Sequence, residues 1–342
     1  MATIKDIAKA CNLSSTAVSR ALRNESDISA VTIERVQKVA DEMGYIPNVA
    51  AVKLKTNRSF MLGILLDDGM GSGVEHELFA AITNAFMKAA CSKGYSVMFI
   101  SNKIGEQKIS YTEFARAYGC DAVLVMVSPF YGNGVAELAE SGIPVVFVDY
   151  LFNNCSSVMS DNARGVRELV QHVYKLGHRK LAFLHGESTN VSRIRLASFY
   201  KTCAALGVDV PEEYIVEGRY HDTEAAEQAT YKLLDLKEPP TMIFYSDDYA
   251  FQGGRNALEH RGISCPDQIS VAGYDGFAFS KVIKPSLVTW KQNTYALGEK
   301  AAELLIEAVE HRKTYIPQIV EVHGELQAGS SVKDLTQQVA GG

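Results

Sequence analysis

From Phe60 onward the chain alternates short apolar runs with segments whose apolar residues recur at helical spacing. The runs that predict buried strands lie at 61–66, 97–100, 122–127 and 145–148. Helical patterns separate them at about 75–93, 106–118 and 133–141. Strands that are apolar throughout and alternate with helices are typical of a parallel sheet covered on both faces, so this half predicts one doubly wound α/β lobe.

A second series of the same kind follows after residue 160. Its predicted strands lie at 180–184, 242–245 and 270–274, and its predicted helices at 162–176, 193–206, 223–235 and 249–261. Ligands of doubly wound sheets bind at the carboxyl ends of the strands. Two facing lobes therefore predict a ligand-binding crevice between them.

The first 45 residues carry a different pattern, that of three short helices. Thr3 can cap the first helix, and Ser14 or Ser15 the second. The third helix begins near Ser29 and stops at Gly44. The second helix follows the first after a brief turn, which gives a helix-turn-helix in outline. On periodicity alone, a generic three-helix bundle remains the alternative.

The second predicted helix, 14–23, has the size and the side chains to read DNA. A helix fits the major groove, and the side chains near its N-terminus reach base edges. Ser15, Thr16 and Arg20 are the candidates for base contacts, while Ser14 and Ser19 would position phosphates. With the first helix cap added, the candidate contacts in this head are Thr3, Ser14, Ser15, Thr16, Ser19 and Arg20.

Charge is distributed unevenly along the chain, whose formal net charge is -6. Residues 1–60 contain nine Lys or Arg against six Asp or Glu, a net charge of +3, which leaves -9 for the remainder. A basic end on an acidic body is expected where only that end meets phosphates.

The six cysteines are scattered without metal-ligand or disulfide spacing, which predicts reduced thiols in the cytoplasm and no metal site. No apolar stretch approaches the ~20 residues of a membrane span. The sequence therefore predicts a cytoplasmic protein without a membrane partner.

Sequence patterns of enzymes and of phosphate binding are missing as well. No GxSxG, HExxH or GxxxxGK[ST] string occurs. The glycine-rich stretch 69–73 reads GxGxG, which fits no nucleotide signature, so we interpret it as a flexible loop. We expect binding without turnover and no cofactor.

Three strings in the head, at 3–8, 13–22 and 44–48, resemble the DNA-binding head of the LacI/GalR family of transcriptional regulators. The resemblance implies that Ser15 and Thr16 specify the operator and that Arg20 contacts a base. It also implies a hinge helix and linker over 46–58 that orders on DNA and pairs with its dimer mate in the minor groove. Asn48, Ala51 and Leu54 would contact DNA there, Leu54 as an apolar wedge between bases. The alternative for Leu54 is one apolar residue in a linker.

The same resemblance continues through the body, at 161–165, 176–180, 195–199, 266–275 and 285–292. It implies an effector domain similar to periplasmic sugar-binding proteins. Residues at matching positions of its cleft are Asp161, Arg195, Tyr220, Asp247, Asp275 and Gln292. Carboxylates and a guanidinium pair with adjacent hydroxyls, and an aromatic ring covers the C–H face of a sugar.

Two departures from the family pattern bear on ligand identity. Asp247 is followed by Asp248 where the family usually has Asn-Asp, which would add a negative charge or a hydroxyl acceptor. The loop after the first strand lacks the usual aromatic pair, so His76 and Phe79 are further ligand candidates, with a helix-face role as the alternative.

The fold class expected is an N-terminal three-helix helix-turn-helix head with a hinge helix, joined to a two-lobed α/β core with parallel doubly wound sheets. We place the head at 1–45, the hinge at 46–58 and the body at 59–342. The first lobe would hold about 59–159 and 290–320, the second about 160–289 and 321–331, and a polar tail 332–342.

The function expected is sequence-specific transcriptional regulation, most simply repression, of carbohydrate genes under control of a sugar-type effector. A nucleobase or other non-sugar corepressor is the alternative, and a sugar receptor without a regulatory role is a further one. The tail contains no heptad repeat, so we expect a homodimer on a near-palindromic double-stranded operator. Induction and corepression both stay open.

Overall fold

The computed structural model describes residues 2–22, 24–25, 27–45, 58–67, 73–127 and 133–336. Contacts divide the chain into a head unit, 1–59, and a body unit, 60–342. The predictions for Asn48, Ala51, Leu54 and the hinge helix lie outside the described residues. So do most of the glycine-rich loop and the end of the tail.

The head consists of three short helices, α1 (Ile4–Cys11), α2 (Ser15–Ala21) and α3 (Ala30–Glu42). Each begins at a hydroxyl side chain that accepts a hydrogen bond from a backbone N–H of the first turn: Thr3, Ser14 and Ser29. The apolar faces meet in one small core of Ile7, Ala8, Cys11, Val18, Ala21, Val36 and Ala40. The predicted helix-turn-helix head is confirmed.

The first sheet of the body has six parallel strands in the order β13-β7-β6-β5-β1-β2. Their bounds are β1 (Met61–Leu66), β2 (Ser96–Phe99), β5 (Ala122–Val127), β6 (Val145–Val148), β7 (Ser156–Ser160) and β13 (Ile319–Val322). Its helices are α4 (Glu77–Ser92), α5 (Tyr111–Tyr118), α6 (Asn133–Glu140) and α11 (Thr294–Glu310). A hairpin of β3 (Lys103–Ile104) and β4 (Gln107–Lys108) occupies part of the helix predicted at 106–118, which begins only at Tyr111, after the cap Ser110.

The second sheet has the order β14-β12-β11-β10-β8-β9. Its strands are β8 (Leu181–His185), β9 (Ile215–Glu217), β10 (Met242–Tyr245), β11 (Ser270–Asp275), β12 (Val288–Lys291) and β14 (Glu325–Gln327), of which only β14 runs antiparallel to its neighbour. Helices α7 (Asn162–Lys175) and α8 (Asn190–Ala205) pack on one face, and α9 (Thr223–Leu234) and α10 (Asp248–His260) on the other. The two-lobed α/β core with parallel sheets is thus confirmed.

The chain crosses between the two lobes three times, at 160–162, 291–294 and 322–325. Two lobe boundaries differ from those expected. Trp290 and Lys291 belong to the second sheet, because β12 pairs with β11, and Glu321 and Val322 belong to the first, because β13 pairs with β7. The crossings lie where these strands end, a few residues later than the sequence pattern placed them.

No helix among the residues described is long and apolar enough to span a membrane.

Candidate functional site

Polar side chains lie at the carboxyl ends of strands in both lobes, near the places where the chain crosses from one lobe to the other. Asp149 follows β6 and Ser160 ends β7 in the first lobe, while Asp275 ends β11 and Gln292 follows β12 in the second. Hydrogen bonds connect all four side chains, so these strand ends meet at one place. This is the crevice position that doubly wound sheets provide.

Arg195, on α8, is the cation of this crevice and is only 4% exposed. Its Nε donates to Asn162 Oδ1 at 2.8 Å and its Nη1 to the backbone oxygen of Ser246 at 2.9 Å. The Tyr274 ring covers the guanidinium at 3.5 Å. Nη2 lies 3.8 Å from Asp275 Oδ1, too far for a hydrogen bond. Within the described residues, Arg195 therefore keeps N–H donors on the side that faces Asp275.

A chain of hydrogen bonds links the two lobes beside Arg195. Gln292 Nε2 donates to Asp275 Oδ1 at 2.6 Å, and Ser160 Oγ lies 2.5 Å from Gln292 Oε1 and 2.9 Å from Asp149 Oδ2. Burial raises the pKa of Asp275 to about 7, against the opposing pull of Arg195. Burial also raises the pKa of Asp149.

The hydroxyl of Ser160 has one hydrogen and faces two acceptors. A proton on Asp149, or a reversed Gln292 amide with the proton on Asp275, gives each of these contacts one hydrogen. Burial raises the pKa of both carboxyl groups, which agrees with one such proton. The chain then carries one proton between two buried carboxyl groups on opposite lobes.

Asp247 and Asp248 have different surroundings although they are adjacent. Asp247 caps α10 by accepting from Ala250 N at 2.8 Å, and its other oxygen accepts from His221 N at 3.0 Å. Asp248 is fully buried, and its oxygens accept from Thr289 Oγ1 at 2.7 Å and Phe277 N at 2.8 Å. Both oxygens of Asp248 therefore hold the fold together, and the charge or acceptor added relative to the family's Asn-Asp belongs to Asp247, which stands in place of the asparagine.

Aromatic rings bridge the two lobes on a further side of the crevice. His76, at the start of α4, stacks on His221 with ring centroids 4.0 Å apart, and Phe79 lies 4.4 Å from His76. Tyr249 is 4.0 Å from His221. We call His76, Phe79, His221, Tyr249 and Phe277 the aromatic array. Beside it, Glu77 Oε1 accepts from Ala278 N at 3.2 Å, a second contact between the lobes.

Tyr220 lies on the Arg195 side of the crevice, with its ring 5.8 Å from the guanidinium. Its hydroxyl is 2.9 Å from Ser192 Oγ, and its backbone N–H donates to Glu187 Oε2. Burial raises the pKa of the Tyr220 hydroxyl, so it remains a neutral hydrogen-bonding group.

Asp161 is a predicted cleft residue whose contacts lead away from Arg195. Its Oδ1 caps α7 by accepting from Arg164 N at 3.1 Å, and its Oδ2 lies 2.8 Å from His323 Nδ1 at the last crossing. The neighbouring residue, Asn162, contacts Arg195 instead. A helix cap directs its side chain to the helix's own N–H groups, which is why the two adjacent residues diverge.

One group of side chains among the described residues could hold a metal ion. Its three ligand atoms, one each from Asp161, Glu321 and His323, lie within 4.8 Å of one another. Two of the three are exposed, and Asp161 is already hydrogen-bonded. We assign no metal to them. A cavity of about 330 Å³ lies nearby, at two of the crossings. It is lined by Lys291, Gln292, Asn293, Thr294, Tyr295, His323, Gly324 and Glu325.

In the head, the residues predicted to contact DNA divide into caps and exposed side chains. Thr3 forms a capping box with Asp6, and Ser14 Oγ accepts from Ala17 N at 3.1 Å. Ser15 and Thr16 are exposed at the start of α2, and Ser19 is half-buried. Arg20 is ion-paired, its Nε 2.7 Å from Glu25 Oε2 and its Nη2 in contact with Asp27.

Several residues that build the crevice were not predicted from the sequence: Asp149, Ser160, Asn162, Ser246, Tyr249 and Tyr274. Asp149 had a usable signal, since it directly follows the apolar run 145–148 and strand ends carry such sites. Ser160 and Asn162 flank Asp161 and carried no signal that separates them from it.

Comparisons with known proteins agree with this architecture. Residues 3–48 match the model of bacterial regulatory proteins of the lacI family, and residues 170–332 match a periplasmic binding protein-like domain. The probable HTH-type transcriptional repressor ExuR of Bacillus subtilis (strain 168) is 30% identical over 340 residues, covering 98% of this chain and all of that protein. The HTH-type transcriptional repressor PurR of Actinobacillus pleuropneumoniae serotype 3 (strain JL03) is 29% identical over 342 residues, with 98% and 100% coverage.

Solved structures share the fold at lower identity. The lac repressor dimer bound to operator and the anti-inducer ONPF superposes with a TM-score of 0.75 at 24% identity, covering 97% of this chain and 99% of that one. The transcriptional regulator CelR in complex with cellobiose gives 0.71 at 21%, covering 97% and 100%. With a helix-turn-helix head, a two-lobed body and full-length relatives that are repressors, this chain belongs to the LacI family and is a DNA-binding transcriptional repressor rather than an enzyme.

Proposed function

We propose that this repressor is controlled by a hydroxyl-rich small molecule, of sugar type, bound between the two lobes beside Arg195 and Asp275. The observation that carries the proposal is the 3.8 Å separation of Arg195 Nη2 and Asp275 Oδ1. A donor and an acceptor that form an ion pair too long for a hydrogen bond match two adjacent hydroxyl groups. Both side chains are buried, so a ligand there would form its hydrogen bonds away from water.

The charges around this position favour an uncharged ligand over an anion. Arg195 already faces the negative charge that the buried Asp275 and Asp149 carboxyl groups share. Asp247 lies on the same side, adjacent to Ser246, whose backbone oxygen binds Arg195. The stretches 68–72 and 128–132, which follow two first-lobe strands, contain no Lys or Arg. A sugar phosphate would therefore meet a single cation, Arg195, that these carboxyl groups already balance, which disfavours its binding.

A nucleobase is the second candidate, and the aromatic array supports it. His76 and His221 present stacked rings, and Phe79 and Tyr249 extend them on either lobe. A flat base could stack on such rings. Several relatives are named PurR, and this fits the same candidate.

On the DNA side, we propose that two copies in the cytoplasm bind a near-palindromic operator. Ser15, Thr16 and Arg20 would read bases in the major groove, and Leu54 of the hinge would enter the minor groove. The exposure of Ser15 and Thr16 at the start of α2 supports this assignment. Ligand in the cleft would change the angle between lobes and so the pairing of the hinges.

Trp290 provides the test of the effector. It is 1% exposed on β12, and its indole packs against Gly324 at a lobe crossing. Lobe movement should therefore change its fluorescence. The panel contains neutral mono- and disaccharides, sugar phosphates and nucleobases, each titrated against purified protein.

A saturable signal with a neutral sugar, lost in Arg195→Ala and kept in Arg193→Ala, supports the proposal. Arg193 is the matched control because it is exposed and lies on the same helix. A signal from a nucleobase alone supports the second candidate. Silence across the panel, from protein that still binds its operator, contradicts both.

The DNA assignment is tested with Arg20→Ala on an operator obtained by selection from random DNA. Specific binding should fall by about tenfold or more, while binding to random DNA changes little. Equal loss on both would place Arg20 among phosphate contacts. Sedimentation at micromolar concentration tests the dimer, and a stable tetramer or a monomer would contradict it.

A further inference from the structure

Two acidic side chains hold Arg20, the arginine of α2. Arg20 Nε lies 2.7 Å from Glu25 Oε2, and Arg20 Nη2 contacts Asp27. The three side chains are between 35% and 46% exposed, so they lie on the surface of the head. Together they carry a net charge of -1, and the arginine adds no local attraction for phosphates.

The fold fixes Glu25 at this position. Asn24 adopts a left-handed backbone conformation, with φ of 55°, which turns the chain back after α2. Glu25 N then donates to the backbone oxygen of Arg20 at 3.2 Å, and Gln37 of α3 donates to Asn24 Oδ1 at 2.8 Å. Because backbone and side-chain bonds both anchor this turn, the carboxylate stands beside Arg20 before DNA arrives.

We propose that Glu25 and Asp27 set the sequence selectivity of the head by holding the Arg20 guanidinium, so that it binds DNA only where a base offers acceptors. The proposal rests on the role of Arg20 as a base contact. An arginine without such partners would bind any phosphate oxygen within its reach, which adds affinity but no sequence information.

The two ion pairs should change the sequence selectivity of DNA binding rather than weaken all binding equally. Exposed ion pairs are weak, so a bidentate contact with a base edge can replace or join them at little cost. A phosphate brings negative charge close to two carboxylates, so its contact with Arg20 is less favourable than the contact with a base edge. The pair therefore lowers binding to random DNA more than binding to the operator, and Glu25 and Asp27 act as positioning residues.

The test measures the binding of full-length protein to selected operator and to random DNA over a range of salt concentrations. Glu25→Gln and Asp27→Asn should each lower the ratio of specific to random binding by about threefold to fivefold. With both changes, the salt slope on random DNA should rise by about one, because Arg20 gains a phosphate contact. Thermal unfolding confirms that each variant is folded.

Two comparisons decide whether the effect passes through Arg20. Glu42→Gln removes an equal charge from an exposed position at the end of α3 and should leave the ratio unchanged. In an Arg20→Ala background, Glu25→Gln and Asp27→Asn should have no effect on the ratio or the slope.

An unchanged ratio in the double variant would overturn the proposal, as would an equal effect of Glu42→Gln or an effect that persists without Arg20. The proposed base contact of Arg20 is tested separately. It is contradicted if Arg20→Ala alone weakens binding to the operator and to random DNA equally.

Discussion

The imidazole of His76 stacks on that of His221 across the two lobes, with ring centroids 4.0 Å apart and planes inclined by 22°. His76 begins α4 of the first lobe, and His221 precedes α9 of the second. A positive charge on the His221 ring is disfavoured in this arrangement, because burial lowers its pKa. The state of these histidines is thus linked to how the lobes meet.

The first prediction concerns pH. Burial lowers the pKa of His221 from its ordinary value of 6.5, although Asp247 and Glu77 oppose the shift. Where the lobes separate, the ring regains its ordinary pKa and binds a proton more tightly. Contact between the lobes should therefore be full above pH 6.5 and weaken as the pH falls through the lowered pKa. The radius of gyration by X-ray scattering should grow accordingly.

His221→Gln is the control for this pH dependence, because glutamine does not titrate. Its radius should stay constant over the same range. An expansion of the same size in His221→Gln would show that another group is responsible, and Asp275, with a pKa of about 7, would be the next to examine.

The second prediction concerns Gln292, the amide that joins the lobes. Gln292→Leu removes the N–H that Asp275 Oδ1 accepts in a buried place and leaves Ser160 Oγ bonded to Asp149 alone. We expect the free energy of unfolding of the body to fall by about 2–3 kcal/mol, as measured by urea denaturation. Lys291→Ala, next in sequence, breaks only the exposed pair with Glu325 and should cost about 0.5 kcal/mol or less.

The third prediction concerns Gly165 on α7, which lies against Tyr274, the ring that covers the Arg195 guanidinium. A Cβ there would lie 2.3 Å from Tyr274 Oη and 2.8 Å from the Trp290 ring. Gly165→Ala should lower the free energy of unfolding by about 1–3 kcal/mol and change Trp290 emission.

Tyr274→Phe should recover much of that loss. The Tyr274 hydroxyl is buried and has no hydrogen-bond partner among the described residues, so its removal alone should cost little. A double variant no more stable than Gly165→Ala would show that the clash lies with Trp290 instead.

The fourth prediction separates two roles of Thr3. Its hydroxyl and backbone N–H form a reciprocal capping box with Asp6. Thr3→Ala should destabilise α1 by about 1 kcal/mol, seen as faster amide hydrogen exchange, and Thr3→Ser should preserve protection. A loss of operator binding in Thr3→Ser, with protection intact, would instead indicate a direct DNA contact through the methyl group.

Much of the fold follows from the apolar runs, and β7 shows what such runs leave out. β10 (Met242–Tyr245) coincides with its predicted bounds because all four residues are buried. β7 (Ser156–Ser160) was not predicted, since three of its five residues are serine. Its buried position comes from pairing with β6 and β13, which lies more than 150 residues away in the chain. Local sequence does not carry that information.

The candidate site, like the fold, could be predicted only in part from the sequence. Arg195 and Asp275 are close together, as the resemblance implied, because strand ends and helix starts are placed by the sheets. Asp161 and Asn162 are adjacent, and only the geometry of the helix start decides that Asn162 reaches Arg195. The partners of Arg20 depend on the turn at Asn24, whose conformation gave no signal in the sequence.

The threefold crossing between the lobes has a consequence for how the protein is made. The first sheet ends at an edge strand, β13, and the second at β14, and both strands come from residues 319–327. Neither lobe can complete its sheet until that segment has emerged from the ribosome. The head, by contrast, has all of its core within the first 45 residues and can fold during synthesis. A growing chain thus acquires the three helices of its head long before it acquires either finished lobe, and so long before the crevice between the lobes exists.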